Sequence, residues 1–226
     1  AIGRSALYSN TTASYNTAIG KSALTANTTG DCNTASGYQV LYTNSTGSNN
    51  TATGYKALYS NTGGHFNIAS GYWALYTNTT GSSNIATGYA TLRYNTTGSS
   101  NVAYGQGALQ NNTTGNNNTA GGNDSLTSNT TGSSNTAFGV NALYNTTGSY
   151  NTAIGQEAGQ NVTTGSFNIC LGYAAYPSSA TVDDEVVLGD GHIATLRCNT
   201  STISSLSDAR DKTEVEPSPL GIDFLN

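Results

Sequence analysis

The sequence predicts an all-β protein in which short coils stack into a parallel β-solenoid, or β-roll. Two observations predict this fold. A unit of 17 residues recurs along most of the chain, and each unit is rich in Gly, Asn and Thr, which are poor residues for a helix interior. A unit this short cannot bury an apolar face by itself, so successive units must stack for a core to form. We therefore expect each repeat to be one coil, with neighbouring coils about 4.8 Å apart.

A glycine anchors every repeat. Each unit reads approximately N-[TIV]-A-x-G-x-x-A-L-x-x-N-T-T-G-x-x, and the anchor is the glycine at the fifth position. The anchors fall 17 residues apart, except for one interval of 16 between Gly139 and Gly155. They are Gly3, Gly20, Gly37, Gly54, Gly71, Gly88, Gly105, Gly122, Gly139, Gly155, Gly172 and Gly189. The array therefore occupies residues 1–190 in about eleven coils.

The pattern within a unit predicts the path of a coil. We expect two short extended pieces, separated by the anchor glycine and by the Asn-Thr-Thr-Gly turn. The glycine should take a positive φ at a corner, and the small Ala should lie where two walls of the coil approach closely. Recurrent Asn residues should stack into side-chain amide ladders, as identical residues do in cross-β structures. The core of each coil is thin, which favours association between chains.

Composition and charge exclude several functional classes. Only 8% of residues are charged, no apolar run is long enough to enter a membrane, and no basic stripe is present for nucleic acid. Residues 1–182 carry four bases against three acids, whereas residues 183–226 carry three bases against nine acids, so we place a boundary near residue 180. The chain contains no Met, and we expect it to be a piece of a longer polypeptide.

Neither a metal site, a cofactor nor an intrinsic enzyme is predicted. Cys32, Cys170 and Cys198 form no Cys-x-x-Cys or Cys/His cluster, and we interpret them as small buried residues. Asp31, Asp124 and Glu157 are scattered singly, whereas a glycosidase needs two carboxylates held close together. Asp183, Asp184 and Glu185 do form a cluster, and we interpret it as a solvated turn at the junction. The chain also lacks a phosphate-binding glycine loop.

Aromatic residues recur in register along the array, so a solenoid would stack them into ladders. Either these ladders stiffen the rod or fill an interface between chains, or they present a surface for a host carbohydrate. Under the second interpretation, the candidate receptor-contact residues are Tyr38, Tyr55, Tyr72, Trp73 and Tyr89. A second ladder is expected from Tyr42, Tyr59 and Tyr76.

Asn-Thr-Thr sequons recur at Asn27, Asn78, Asn95, Asn112, Asn129 and Asn145. In a secreted eukaryotic chain they would indicate N-glycans. Repetition of one turn motif generates the same tripeptide, and we favour that explanation.

The repeat motif N-[TV]-A-x-G-x-x-A resembles the head repeats of trimeric autotransporter adhesins. The resemblance extends over most of residues 1–176 but does not include the Asn-Thr-Thr-Gly turn. In that family the repeats form left-handed parallel β-rolls within a trimer. The resemblance therefore implies a homotrimer.

Residues 186–212 read VVLGDGHIATLRCNTSTISSLSDARDK and resemble the lead-in to the endosialidase-type intramolecular chaperone of phage tail fibres and tailspikes. The matching S-D-x-R-x-K core consists of Ser207, Asp208, Arg210 and Lys212. In that family the chaperone drives trimer assembly and then cuts itself off. The resemblance implies one self-cleavage between Ser207 and Asp208, with Ser207 as the nucleophile.

These observations predict a structural and adhesive segment of an extracellular phage tail fibre. Its expected partners are two further copies of the chain, other virion tail proteins, and a host cell-surface glycan or other receptor. The expected divisions are a β-roll over 1–190, a junction over 191–207 and the start of a chaperone over 208–226. Two alternatives remain open: a trimeric adhesin on a cell surface, and the non-catalytic part of a polysaccharide depolymerase tailspike.

Overall fold

The structure, a computed structural model, describes residues 1–193. Ala1–His192 form one compact unit, and a second unit begins at Ile193. The self-cleavage hypothesis at Ser207 and Asp208 falls outside the described residues, as do most of the predicted junction and the start of the chaperone.

The fold is the predicted β-solenoid. Each coil contributes one strand of three residues, and every strand pairs in parallel with the strand of the next coil, so that a single sheet of 11 strands follows the sequence order. Before the first strand, only an isolated bridge joins Ile2 to Ile19. The strands are β1 (Thr17–Ile19), β2 (Thr34–Ser36), β3 (Thr51–Thr53), β4 (Ile68–Ser70), β5 (Ile85–Thr87), β6 (Val102–Tyr104), β7 (Thr119–Gly121), β8 (Thr136–Phe138), β9 (Thr152–Ile154), β10 (Ile169–Leu171) and β11 (Val186–Leu188).

The small residue at the centre of each strand points into the coil. Ala18 pairs with Ala35, and both are fully buried. Successive residues of a strand face opposite sides, so the two flanking residues point outward. Every central residue from β1 to β10 is small and buried, so this position lies inside the coil.

The second extended piece predicted for each coil does not form within residues 1–193, so that prediction was wrong. The segment after the anchor glycine contains left-handed residues, such as Ser22 with φ 59° and Leu24 with φ 51°, and a strand cannot accommodate them. The segment still bonds to its neighbours. Leu24 N donates to the carbonyl of Val40 in the next coil at 3.0 Å.

Each leucine at this position from Leu24 to Leu143 is therefore both left-handed and central to the core. A left-handed conformation costs a non-glycine residue about 1–2 kcal/mol, and full burial of a leucine side chain contributes roughly 1.5–3 kcal/mol. Burial thus offsets the backbone strain. The fully buried members of this column are Leu24, Leu41, Leu58, Leu75, Leu92, Leu109, Leu126 and Leu143.

The anchor glycines adopt the predicted positive φ. Gly71, for example, has a φ of 142°, and a Cβ added there would overlap the carbonyl oxygen of Gly88 in the next coil. The corner therefore excludes side chains both by its dihedral angle and by the close approach of the neighbouring backbone.

Two asparagine ladders run through the solenoid, as predicted. The strand ladder consists of the Asn that precedes each strand: Asn50 accepts at Oδ1 from the backbone N–H of Asn67 at 2.9 Å. The turn ladder consists of the Asn of the Asn-Thr-Thr-Gly turn: Asn61 donates from Nδ2 to Asn44 Oδ1 at 2.7 Å and to the carbonyl of Gly64 at 3.0 Å. The fully buried members of the turn ladder are Asn27, Asn44, Asn61, Asn78, Asn95, Asn112 and Asn129.

The turn ladder ends at Asn129, because the coil after it is one residue shorter and the following coil has buried Val162 at the ladder position. Thr146 takes the ladder position, while Asn145 is displaced to the surface. Asn129 Oδ1 and Thr146 Oγ1 are both buried without a hydrogen-bond partner, and so is Asn161 Oδ1 in the next coil. The strands on both sides nevertheless stay in register, because Ala137 still pairs with Ala153.

Candidate functional site

The predicted aromatic residues lie together on one side of the solenoid. They occupy the turn segment after the anchor glycines, where backbone bonds between coils fix their register. Lys56 N donates to the carbonyl of Tyr38 at 2.9 Å, and Trp73 N donates to that of Tyr55 at 3.0 Å. We call this surface the aromatic face. It consists of Tyr38, Tyr42, Tyr55, Tyr59, Tyr72, Trp73, Tyr76 and Tyr89.

Both predicted tyrosine ladders are present in the aromatic face. Ring centroids are 5.3 Å apart for Tyr38 and Tyr55, 4.6 Å for Tyr55 and Tyr72, and 5.5 Å for Tyr72 and Tyr89, with interplanar angles of 10–15°. The second ladder, Tyr42, Tyr59 and Tyr76, has spacings of 5.2 and 5.3 Å. Offset stacks at such distances stabilise each other, so the ladders stiffen this side of the rod.

Stacking decides which part of each ring a ligand can meet. Tyr55 and Tyr72 have a ring on each side, so their faces are largely covered and their edges and hydroxyl groups point outward. Tyr72 is 40% exposed and Tyr89 is 50% exposed. Among residues 1–193, the hydroxyl groups of the aromatic face bond to no other residue and none is buried without a partner. The face therefore presents a row of solvated hydroxyl groups.

Trp73 is packed differently from the tyrosines. Its ring meets Tyr72 edge-on at 4.5 Å and 61°, and the guanidinium carbon of Arg93 lies 4.0 Å from its ring centroid. A guanidinium so close covers one face of the indole. A sugar could stack on that face only after Arg93 moved.

Positively charged side chains belong to the site, and the sequence analysis did not assign them to it. Lys21 Nζ lies 5.6 Å from the Tyr38 ring centroid, and Lys56 Nζ lies 5.4 Å from that of Tyr55. The signal was present in the sequence, because Lys21 occupies the Tyr38 position one unit earlier. In the part of the chain that the structure describes, the only ion pair joins His192 and Asp190.

A further aromatic pair was also missed. Tyr150 and Phe167 stack with ring centroids 4.8 Å apart and an interplanar angle of 4°, and they are 54% and 53% exposed. Each directly precedes an Asn of the strand ladder, and Tyr15 and Phe66 occupy the same position in earlier units. This pair is separate from the aromatic face along the chain.

The cysteines differ in their surroundings. Cys170 is buried in β10, as predicted, whereas Cys32 is exposed, so the interpretation of Cys32 as a buried residue was wrong. Cys32 lies at a left-handed corner just outside the strand. Burial, together with the charge of Glu185, raises the pKa of the Cys170 thiol to about 11. Cys170 is therefore a packing residue with little thiolate at neutral pH.

Most of the sequon asparagines cannot carry a glycan in the folded coil. Asn78 Nδ2 donates to Asn61 Oδ1 at 2.8 Å and to the carbonyl of Gly81 at 2.9 Å, and the residue is fully buried. The other buried asparagines of the turn ladder are hydrogen-bonded in the same way. Asn145, displaced by the shorter coil, is exposed. These sequons are accounted for by the turn that they build.

Comparisons with known proteins add no relative. No family model, curated protein or solved structure matches this chain.

Within residues 1–193 no group of three or more His, Cys, Asp or Glu side chains is arranged to hold a metal ion. The same residues contain no helix long and apolar enough to cross a membrane.

Proposed function

We propose that this chain is a segment of a phage tail fibre whose aromatic face contacts a receptor on the host surface. The observation that carries the proposal is the exposed, self-stacked aromatic face on a solenoid of stacked coils. A stiff rod holds its side chains in fixed positions, which lowers the entropic cost of binding. The resemblance of residues 186–212 to the lead-in of a tail-fibre chaperone supports the virion setting.

A second exposed surface supports assembly with further copies of the chain. Four large apolar residues lie in one column on the outward side of the sheet: Phe138, Ile154, Leu171 and Leu188, which are 37–49% exposed. Contiguous apolar patches on a soluble protein mark interaction sites. We assign this column to the homotrimer contact, and the aromatic face to the receptor.

The receptor contact can be tested by binding to an array of bacterial surface polysaccharides. Tyr72→Phe keeps the stacked ring and removes the hydroxyl group, so we expect it to weaken binding without changing the unfolding midpoint. Tyr144→Phe, outside the two ladders, is the matched control and should bind as the wild type does. Equal binding by all three proteins would show that the ladder only stiffens the rod.

The trimer contact can be tested by native mass spectrometry. Ile154→Glu places a charge at the centre of the apolar column and should shift a trimer to monomers. Thr53→Glu, at the equivalent position of β3, should leave the protein a trimer. A wild-type monomer would contradict this assignment.

Three further observations test self-cleavage and the two alternative functions. Mass spectrometry of the chain produced with its downstream sequence tests self-cleavage: an end at Ser207 supports it, and an intact chain through Asn226 and beyond contradicts it. Release of sugar from a capsule by the intact fibre would favour the depolymerase tailspike. A cell-surface anchor downstream in the full gene would favour the adhesin.

A further inference from the structure

The bases of the first coils are concentrated on and beside the aromatic face. Arg4 and Lys21 precede Tyr38 in the same column, because Ser22 N donates to the Arg4 carbonyl at 2.8 Å, just as Lys56 N donates to the Tyr38 carbonyl. Lys56 directly follows Tyr55. Arg93 continues the column of Tyr42, Tyr59 and Tyr76. These four residues are all the bases of residues 1–122.

Charge is segregated along the solenoid. Residues 1–122 carry four bases against one acid, whereas residues 123–193 carry six acids and no base. The single acid of the first part, Asp31, follows an Asn-Thr-Thr-Gly turn and accepts a hydrogen bond from Ser14 N at 2.6 Å. No acid among the described residues pairs with a base of the aromatic face. This face is therefore positive in an otherwise acidic protein.

The contacts of these bases with aromatic rings do not neutralise their charge. Lys56 Nζ lies 5.4 Å from the ring centroid of Tyr55 and 5.3 Å from that of Tyr59, and a cation–π contact orients a cation without removing its charge. Arg93 Nε is buried without a hydrogen-bond partner. The two terminal Nη nitrogens are then the donors that a carboxylate can meet, as a planar fork.

Three of the four bases recur at a regular step along the solenoid, whereas Arg4, in the coil of Gly3, lies one coil before Lys21. Lys21, Lys56 and Arg93 belong to the coils of Gly20, Gly54 and Gly88, so each is two coils from the next. Two steps of a parallel stack amount to about 10 Å. Along the axis, that interval is comparable to the length of a disaccharide, so the axial spacing of the cations matches a polysaccharide with one acidic sugar in each disaccharide repeat. Across the axis the bases are staggered, because they stand one, two and five residues after their anchor glycines.

We propose that the aromatic face binds a carboxylate-bearing polysaccharide that runs along the solenoid. Its carboxylates lie against Lys21, Lys56 and Arg93, and its hydroxyl groups bond to the row of tyrosine hydroxyl groups. The covered faces of Tyr55, Tyr72 and Trp73 disfavour the ring stacking that a neutral sugar would require. This inference rests on the proposed receptor contact and specifies the chemistry of the receptor.

The test uses the full chain and three polysaccharides of defined charge. Hyaluronan carries one carboxylate per disaccharide, dextran sulfate carries sulfates, and dextran is neutral. We expect hyaluronan to bind with an affinity that falls as salt is added, and dextran not to bind. The triple variant Lys21→Gln, Lys56→Gln and Arg93→Gln should bind hyaluronan about tenfold more weakly or worse.

A matched control changes the net charge equally, away from this face. Thr29→Asp, Thr80→Asp and Thr114→Asp alter exposed turn residues in separate coils, and the affinity should stay within about twofold of the wild type. Arg93→Lys keeps the charge and removes the fork, so it should lose part of the affinity. Thermal unfolding of each variant separates lost binding from lost structure.

Several outcomes would overturn the proposal: equal binding of hyaluronan and dextran, preference for dextran sulfate, equal loss in both triple variants, or no binding of hyaluronan. If Tyr72→Phe weakens binding to bacterial polysaccharides while the Gln triple variant does not, the receptor contact is supported and the proposal of an acidic ligand is wrong. If neither substitution changes that binding, both proposals fail.

Discussion

Asn44 donates from Nδ2 to Oδ1 of Asn27, one coil earlier, at 2.8 Å, and both residues are fully buried. Each amide of the turn ladder thus contacts the amides before and after it. Buried polar groups of this kind stabilise a fold only when each has its partners. The ladder explains how a repeat with one leucine per coil holds its turn in place.

We expect Asn112→Ala to lower the free energy of unfolding by about 2–4 kcal/mol, because it leaves the buried Oδ1 of Asn95 without a partner and removes one of the two bonds of Asn129 Nδ2. Asn112 donates to Asn95 Oδ1 at 2.8 Å and accepts from Asn129 Nδ2 at 3.2 Å. The control is Asn111→Ala, at a position where an earlier unit has Ala26. Urea denaturation measures both, and equal losses would show that the ladder contributes nothing.

Gly71→Ala should destabilise the solenoid by about 3 kcal/mol or more, because the new methyl group meets the backbone of Gly88 and the φ of 142° is strained for alanine. Gly63→Ala is the matched control. Its Cβ would have Thr46 Oγ1 as its nearest neighbour, at 3.4 Å, and Gly63 has no positive φ. We expect Gly63→Ala to be neutral or to stabilise by up to about 1 kcal/mol. Comparable losses at both sites would contradict this account of the corner.

Thr146→Asn should extend the turn ladder by one coil. The new amide would donate to Asn129 Oδ1, which is now buried without a partner, and one such hydrogen bond contributes about 1 kcal/mol. Thr131→Asn, at an exposed turn position, should change the unfolding free energy by less than about 0.5 kcal/mol. A loss of stability on Thr146→Asn would mean that the shorter coil cannot hold the larger side chain.

Cys170 should make stability depend on alkaline pH. Its thiol pKa rises from 9.0 to about 11 on folding, so the unfolded chain loses this proton first. The contribution to stability is therefore complete below pH 9 and is lost as the pH rises towards 11, by no more than about 2–3 kcal/mol. Unfolding of the wild type and of Cys170→Ala between pH 8 and 11 measures the difference between their unfolding free energies. If that difference does not change with pH, the thiol is not buried.

The exposure of the two cysteines predicts opposite reactivity towards a thiol reagent. In a chain whose Cys198 is replaced by Ser, Cys32 should react within minutes under native conditions, and Cys170 should react only after the addition of urea. Cys32→Ala and Cys170→Ala identify which thiol is labelled. Fast labelling of both native thiols would show that β10 opens readily.

The sequence predicts the stacking well because its period imposes the register. Tyr55 lies next to Tyr72 and Asn61 next to Asn44 simply because each pair is one unit apart. The same reasoning extended to Lys21 would have placed that cation over Tyr38.

The path of the coil could not be predicted in the same way. Nothing in local propensity places Leu75 at φ 50°, since leucine alone disfavours the left-handed region. The conformation is stabilised by burial and by bonds to the coils on either side, which are features of the stack and not of the unit.

In-register pairing also makes each coil an interchangeable segment. The residues that contact Ala69 from above and below are again alanines, Ala52 and Ala86, so removing or duplicating one whole unit would restore the same neighbours. A gene that gains or loses 51 bases would lengthen or shorten the rod by one step of about 4.8 Å without redesign of its core. Reach is thus encoded as a number of repeats, and it can change in evolution independently of the surface chemistry that each repeat carries.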